Sequence, residues 1–161
     1  MLDLNLPPFE INIKKTDGKL TVFDRLRRKF VALTPEEWVR QRFVNYLITE
    51  KGYPQALMAN EVQISLNSRK RRCDSIVYDK TLLPLVIVEY KSPDVEITQA
   101  VFDQIARYNI VLKVKYLFVS NGLSHYCCLM DYEAQTFCYL AAIPMYNDLL
   151  GNSLNFIHPN F

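Results

Sequence analysis

The apolar and polar positions first alternate with period two. Phe9-Glu10-Ile11-Asn12-Ile13, the turn signal Thr16-Asp17-Gly18 and the extended Leu20-Thr21-Val22-Phe23 together predict a β-hairpin over 9–23. The period then becomes helical. Thr34-Pro35-Glu36-Glu37 is a start signal, with Thr34 as N-cap, Pro35 in the first position and Glu37 placed to close a capping box. Val39, Phe43, Tyr46 and Leu47 recur at helical spacing until Lys51-Gly52. Extended stretches follow at 58–66, 73–78 and 83–90. Leu82 to Val88 is an almost unbroken apolar and β-branched run, which suits a strand covered on both faces and expected at the centre of its sheet. Residues 97–112 place Val101, Ile105, Tyr108 and Leu112 on one helical face. A strand at 116–120, a late hairpin at 126–130 and 136–142, and a short tail from Pro144 complete the pattern. The order of elements predicts an α/β fold, a mixed sheet flanked by helices with the N-terminal hairpin beside it.

The 161 residues suit a single domain, with a core at about 34–122, the hairpin of 9–23 before it and the late hairpin and tail, 124–161, after it. With 50% apolar residues and four glycines there is material for a core, which excludes extended disorder. No apolar run approaches the ~20 residues of a membrane helix, and MLDLNLPPFEIN has neither a basic segment nor a long apolar stretch, so a cytoplasmic protein is expected. Cys73, Cys127, Cys128 and Cys138 show no C-x-x-C spacing and read as reduced, buried thiols, a zinc site built with His125 being the alternative. The formal charge of +2 demands no polyanionic partner, but two basic runs stand out: Arg25, Arg27, Arg28, Lys29 and Arg69, Lys70, Arg71, Arg72. They read as solvated loop residues or as grips on phosphate.

The chemistry concentrates in Val86-Ile87-Val88-Glu89-Tyr90-Lys91-Ser92-Pro93, where period two puts Glu89 and Lys91 on one face as the dry strand leaves the core. A structural ion pair at a strand end is the simpler account. Asp74 opens another short strand directly after the second basic run. If the two strands pair, Asp74 and Glu89 converge, and two such carboxylates repel unless a divalent cation with a taste for hard oxygens, Mg²⁺ or Mn²⁺, neutralises them. The alternative is that Asp74 pairs with Arg72. On the first helix Glu36 falls among the apolar positions, whereas Glu37 lies off that stripe, so Glu36 is expected to face inward as a third acid or to stay a partly wet first-turn residue. Gln104, at the margin of the second helix's stripe, can reach the same sheet edge or stay solvated.

The ordered set Glu36, Asp74, Glu89-x-Lys91 and Gln104 resembles the PD-(D/E)xK nuclease superfamily. TPEEWVRQ, RRCDSIVYD, VIVEYKSP, FDQIARYN and LFVSNG resemble, more closely, the N-terminal nuclease domain of type I restriction enzyme R subunits, over about Thr34 to Gly122. Cys73 stands where the superfamily's name has Pro. A full R subunit adds a translocating motor, and the sequence has no G-x-x-x-x-G-K-[ST] loop. The resemblance implies a restriction-endonuclease-like fold and a restriction-related, Mg²⁺-dependent (or Mn²⁺-dependent) endonuclease that hydrolyses DNA. Asp74, Glu89 and the Tyr90 carbonyl would hold the metal, supported by Glu36. Lys91 would orient or deprotonate water, Gln104 would position Lys91 or the phosphate, and Arg69, Lys70, Arg71 and Arg72 would grip the backbone. Two copies acting together, and motor or specificity subunits, are the partners it suggests. Two rival readings are a non-cleaving DNA-binding or protein-interaction module on the same fold, and a nuclease for RNA or branched substrates.

Overall fold

The computed structural model describes residues 3–66, 68–151 and 154–157, without the side chains of Ile64, Leu66, Arg69, Arg71 and Tyr108. The alternating N-terminus makes three antiparallel strands rather than a hairpin, β1 (Ile13–Thr16), β2 (Lys19–Asp24) and β3 (Lys29–Ala32). The addition arises because the first basic run is not a loop: Arg25 to Arg28 turn the chain, Arg28 in the left-handed region at φ 53°, and Lys29 begins a strand. Helix α1 (Pro35–Glu50) starts where its signals say, Thr34 accepting the Glu37 N–H at 3.0 Å.

The main sheet comprises β4 (Met58–Leu66), β5 (Arg69–Tyr78), β6 (Pro84–Tyr90), β7 (Tyr116–Ser120), β8 (His125–Asp131), β9 (Thr136–Leu140) and β10 (Phe156–Ile157). Among the described residues its order is β10-β9-β8-β7-β6-β5-β4. Among the described strands only β6 and β7 run parallel, so the chain must cross over between them, and helix α2 (Gln99–Ile110) makes that crossover. The apolar run forms β6 from Pro84 onward, Leu82 and Leu83 lying exposed in the turn before it, and the strand sits one place off the centre, which β7 occupies.

Period two divides β6 between two cores. Val86, Val88 and Tyr90 pack with Val39, Phe43 and Leu47 of α1, while Ile87 packs with Phe102, Ile105 and Leu112 on the α2 side. Glu89 therefore leaves the sheet on the α2 face. Ahead of α2, Ile97 and Phe102 flank the Thr98 N-cap and share the same core, a hydrophobic staple that fixes how the helix leaves the β6 end.

Three further expectations change. The second basic run lies inside β5, not in a loop, because it pairs with β4 as far as Leu66↔Arg69. The residues after Pro144 are a docked element rather than a loose tail: α3 (Tyr146–Leu150) buries Tyr146 and Leu149 in the α1-side core. Of the cysteines, Cys73, Cys127 and Cys128 are buried but Cys138 is exposed at the sheet's late edge. His125 bonds Ser120 Oγ (2.8 Å) and the Asn5 carbonyl (3.1 Å), and burial lowers its pKa.

Candidate active site at the carboxyl end of strand β6

The site forms where a ladder stops. β5 and β6 pair from Tyr78↔Pro84 down to Ser75↔Val88, and the next pair in that register would be Asp74 and Glu89. The backbones part there, and the Asp74 carboxylate takes the vacant place: its Oδ2 accepts the Tyr90 N–H at 3.0 Å. On the other flank, Glu61 of β4 faces Asp74, between the pairs Asn60↔Ser75 and Val62↔Cys73. Glu61 sits at φ 56°, a left-handed conformation rare for a side-chain-bearing residue within a strand. Glu61, Asp74 and Glu89 thus cross three neighbouring strands at one level.

Helix α1 delivers the cation that balances them. Arg40 is 3% exposed. Its Nη1 donates to Glu37 Oε2 at 2.7 Å, and its Nη2 reaches Glu61 Oε1 at 2.7 Å and Asp74 Oδ1 at 3.3 Å. The two helix glutamates exchange the positions that the apolar stripe implies. Glu37 is buried, bonded to Arg27 Nη2 (2.6 Å), Arg40 and Gln41 Nε2 (2.7 Å), whereas the Glu36 side chain is 45% exposed and stands 3.9 Å from Arg40. The reason is that the turn between β2 and β3 also reaches α1, Arg27 bonding Glu37 and Arg25 bonding Asn45, so the helix has a second, polar buried face.

That face belongs to a closed circuit of hydrogen bonds. Tyr90 O–H donates to Ser75 Oγ (3.1 Å), Ser75 to Asn60 Oδ1, and Asn60 Nδ2 to Asp24 Oδ2 (2.9 Å). Arg27 joins Asp24 to Glu37, Arg40 joins Glu37 to Asp74, and Asp74 returns to the Tyr90 N–H. Burial alone would raise the Asp24 pKa. Hydrogen bonds from the Arg27 backbone, Asn60 and the Arg27 side chain outweigh it and hold the carboxyl below its ordinary value. Arg25, bonded to Asn45 Oδ1 at 2.8 Å, is also engaged internally, so neither it nor Arg27 is a free phosphate grip.

On the α2 side the balance is reversed. Glu89, Lys91, Val101, Gln104, Ile105 and Asn109 line a cavity of about 250 Å³. Glu89 Oε1 is buried with no hydrogen-bond partner among the described residues. Burial, then the charge of Asp74, push its pKa up to about 8, against smaller lowering effects from Asn109 and Lys91. Glu36 is likewise raised, by burial and then by Asp74, with Arg40 and Lys91 opposing. Lys91 therefore lies in the field of both acids, at the mouth of the cavity. Its N–H continues the parallel ladder by bonding the Ser120 carbonyl at 2.9 Å, which fixes the backbone from which the ammonium extends.

The structure thus gathers Glu36, Asp74, Glu89, Lys91 and Gln104 at one sheet end, Gln104 from an exposed position on α2. Tyr90 enters through its N–H. The Arg69 and Arg71 side chains lie outside the described residues. Arg72 is 73% exposed and pairs with Glu61 Oε2, not with Asp74. Lys70 is exposed. Arg40 and Glu61 escape the sequence reading, although Glu37-x-x-Arg40-Gln41 has the i, i+3, i+4 spacing of a paired helix face.

The donor chemistry suits a hard divalent cation: two mutually repelling carboxylates, one oxygen buried and orphaned, in a partly desolvated place. Glu89 offers the unpartnered oxygen, and Asp74 would share the ion while keeping the Arg40 and Tyr90 N–H bonds on its two oxygens. Among the described residues no cluster of three or more His, Cys, Asp or Glu is assembled as a metal centre, and Arg40 engages Glu37, Glu61 and Asp74 alike.

A family model described as the type I restriction enzyme R protein N terminus matches residues 35–144. No curated protein matches the chain. Of solved structures, a fragment of a candidate HsdR subunit of a type I restriction enzyme from Vibrio vulnificus YJ016 is similar over 73% of this chain, with 19% identity and a TM-score of 0.50. The chain spans 25% of that protein's length, and the likeness is one of fold. A candidate nuclease of the DUF820 group from Anabaena variabilis ATCC 29413 is 13% identical, over 86% of this chain and 85% of its own, with a TM-score of 0.45.

Proposed function

The chain belongs to the family of type I restriction enzyme R protein N termini, and from that membership we propose that it is a metal-dependent DNA endonuclease domain of the PD-(D/E)xK kind. The observation that carries this reading is the unpartnered, buried Glu89 Oε1 beside Asp74 and Lys91. Asp74 and Glu89, with the Tyr90 carbonyl and support from Glu36, would hold Mg²⁺ or Mn²⁺. Once bound, the ion supplies Lewis-acid polarisation and a more acidic water.

The remaining work falls to this chain's own groups. Lys91 Nζ orients or deprotonates the attacking water and offsets negative charge gathering on the phosphate. Gln104, across the cavity, positions Lys91 or a phosphate oxygen. Lys70 and Arg72, with Arg69 and Arg71, bind the DNA backbone without reading bases. Cleavage of both strands with one such site per chain calls for two copies, and motor or specificity subunits supply translocation and base recognition. Work on DNA places the protein in the cytoplasm.

The test is plasmid cleavage with Mg²⁺ or Mn²⁺ beside Lys91→Ala, on duplex, single-stranded and branched substrates. Removing Lys91 should cost about 10²–10⁴ in rate. Nicking that survives Lys91→Ala would expose a contaminant. One observation favours the non-cleaving module: Arg40 already occupies one Asp74 oxygen. Salt-sensitive DNA binding with no cutting in either metal would decide for it.

A further inference from the structure

Arg40 stands apart from the residues that a nuclease site of this kind obviously requires. It is a buried guanidinium whose two terminal nitrogens divide between carboxylates on three different elements: Glu37 on α1, Glu61 on β4 and Asp74 on β5. Its Nε has no hydrogen-bond partner among the described residues, so the acids and not the helix fix the plane of the fork. The guanidinium carbon also lies 5.6 Å from the centre of the buried Tyr90 ring, which walls its other side. Without it, Glu37 would keep Arg27 and Glu61 the exposed Arg72, but Asp74 would have no ion-pair partner among the described residues. Asp74 would keep only the Tyr90 N–H, and Glu61 would lose the buried partner that holds it in its left-handed conformation.

We propose that Arg40 is a positioning residue for the cation-binding carboxylates: its fork pins Asp74 and Glu61 at the sheet end, so that Asp74 already faces Glu89 before any divalent ion arrives. It acts through these acids rather than on a substrate or metal. Two anchors then define the Asp74 carboxylate, the Arg40 fork on Oδ1 and the Tyr90 N–H on Oδ2, while Glu89 is left with an open oxygen. The inference rests on the nuclease reading for the identity of the ion, and not for the geometry.

The substitution that isolates positioning is Arg40→Lys, because it keeps the charge and removes the fork; one ammonium cannot meet three carboxylates in the directions observed. Arg27→Lys is the control, since Arg27 is a similar internal arginine, bonded to Asp24 and Glu37, that does not touch Asp74. Mn²⁺ binding is measured by calorimetry on the full chain without DNA, and thermal midpoints are recorded beside it. Both variants should melt lower than the parent. Arg40→Lys should bind Mn²⁺ at least about tenfold more weakly, and Arg27→Lys within about twofold of the parent.

Equal weakening by the two variants would reduce Arg40 to a structural residue and overturn the proposal. Unchanged affinity in Arg40→Lys would overturn it too. Tighter binding in Arg40→Lys would mean that Arg40 competes with the ion, which also overturns it. A parent chain that binds no Mn²⁺ sinks the metal-nuclease reading itself and this inference with it, a result set apart by the behaviour of the parent.

Discussion

The two halves of the site differ in how their charges are met. On the α1 side every acid has a named partner: Asp24 has Arg27 and Asn60, Glu37 has Arg27, Arg40 and Gln41, and Asp74 has Arg40 and the Tyr90 N–H. On the α2 side Glu89 carries an orphaned oxygen and a pKa raised to about 8. Packing alone explains the first half, because a satisfied buried network holds the small sheet, α1 and three strands of the large sheet in one arrangement. It does not explain the second. An orphaned oxygen on a half-buried carboxylate with a raised pKa is the kind of perturbed group that clusters at functional sites, and the contrast singles out Glu89 among the acids of the site.

The largest expected effect comes from breaking the paired half. Arg40→Ala leaves Glu37, Glu61 and Asp74 without their shared cation, and removing one member of a buried charge network costs about 3–5 kcal/mol. Urea denaturation followed by circular dichroism measures it. A loss below ~1 kcal/mol would show that solvent, Arg27 and Arg72 suffice for these acids without Arg40, and the contrast between the halves would dissolve.

The open half should respond in the opposite direction. A free glutamate ionises near 4.5, whereas Glu89 in the fold does so near 8. Between those values the folded chain retains a proton that the unfolded chain has lost, so Glu89's contribution to stability falls as pH rises from 4.5 through 8. Glu89→Gln removes that dependence and should stabilise the metal-free protein by about 1–2 kcal/mol at pH 8, with the gain vanishing towards pH 4.5. Denaturation of both proteins across this range checks the sign; a variant less stable at pH 8 would place a counter-ion on Glu89.

This contrast also shows where the sequence is readable. β6 was legible because a β-branched run has few other homes, and α1 because Thr34 and Pro35 mark its start. The meeting of Asp74 with Glu89 followed from supposing that their strands pair. The inner face of α1 did not follow, because a wheel drawn on apolar residues hides a polar stripe of Glu37, Arg40, Gln41 and Asn45, all buried by contact with elements distant in the chain. Glu61 was hidden for a different reason. Only its left-handed backbone turns it toward Arg40, and nothing local in Asn60-Glu61-Val62 announces φ 56°. The docked α3 rests on Tyr146 and Leu149, too short a period to separate from a tail.

The smallest effect on stability separates appearance from energy at the boundary of the two halves. Arg72 pairs with Glu61, and Glu61 pairs with Arg40, so the drawing makes Arg72 an extension of the buried network. Its exposure of 73% argues otherwise: water screens the pair, and holding two long side chains together costs entropy. Arg72→Ala should therefore change stability by less than about 0.5 kcal/mol. If Arg72 meets a DNA phosphate, the same substitution lowers the slope of log affinity against log salt by about one unit, uniformly across sequences. Fluorescence anisotropy on a labelled duplex at several salt concentrations reads that slope. A stability loss above ~1 kcal/mol with an unchanged slope would return Arg72 to the paired half as a structural residue, and the phosphate grip would then have to come from its neighbours in the run.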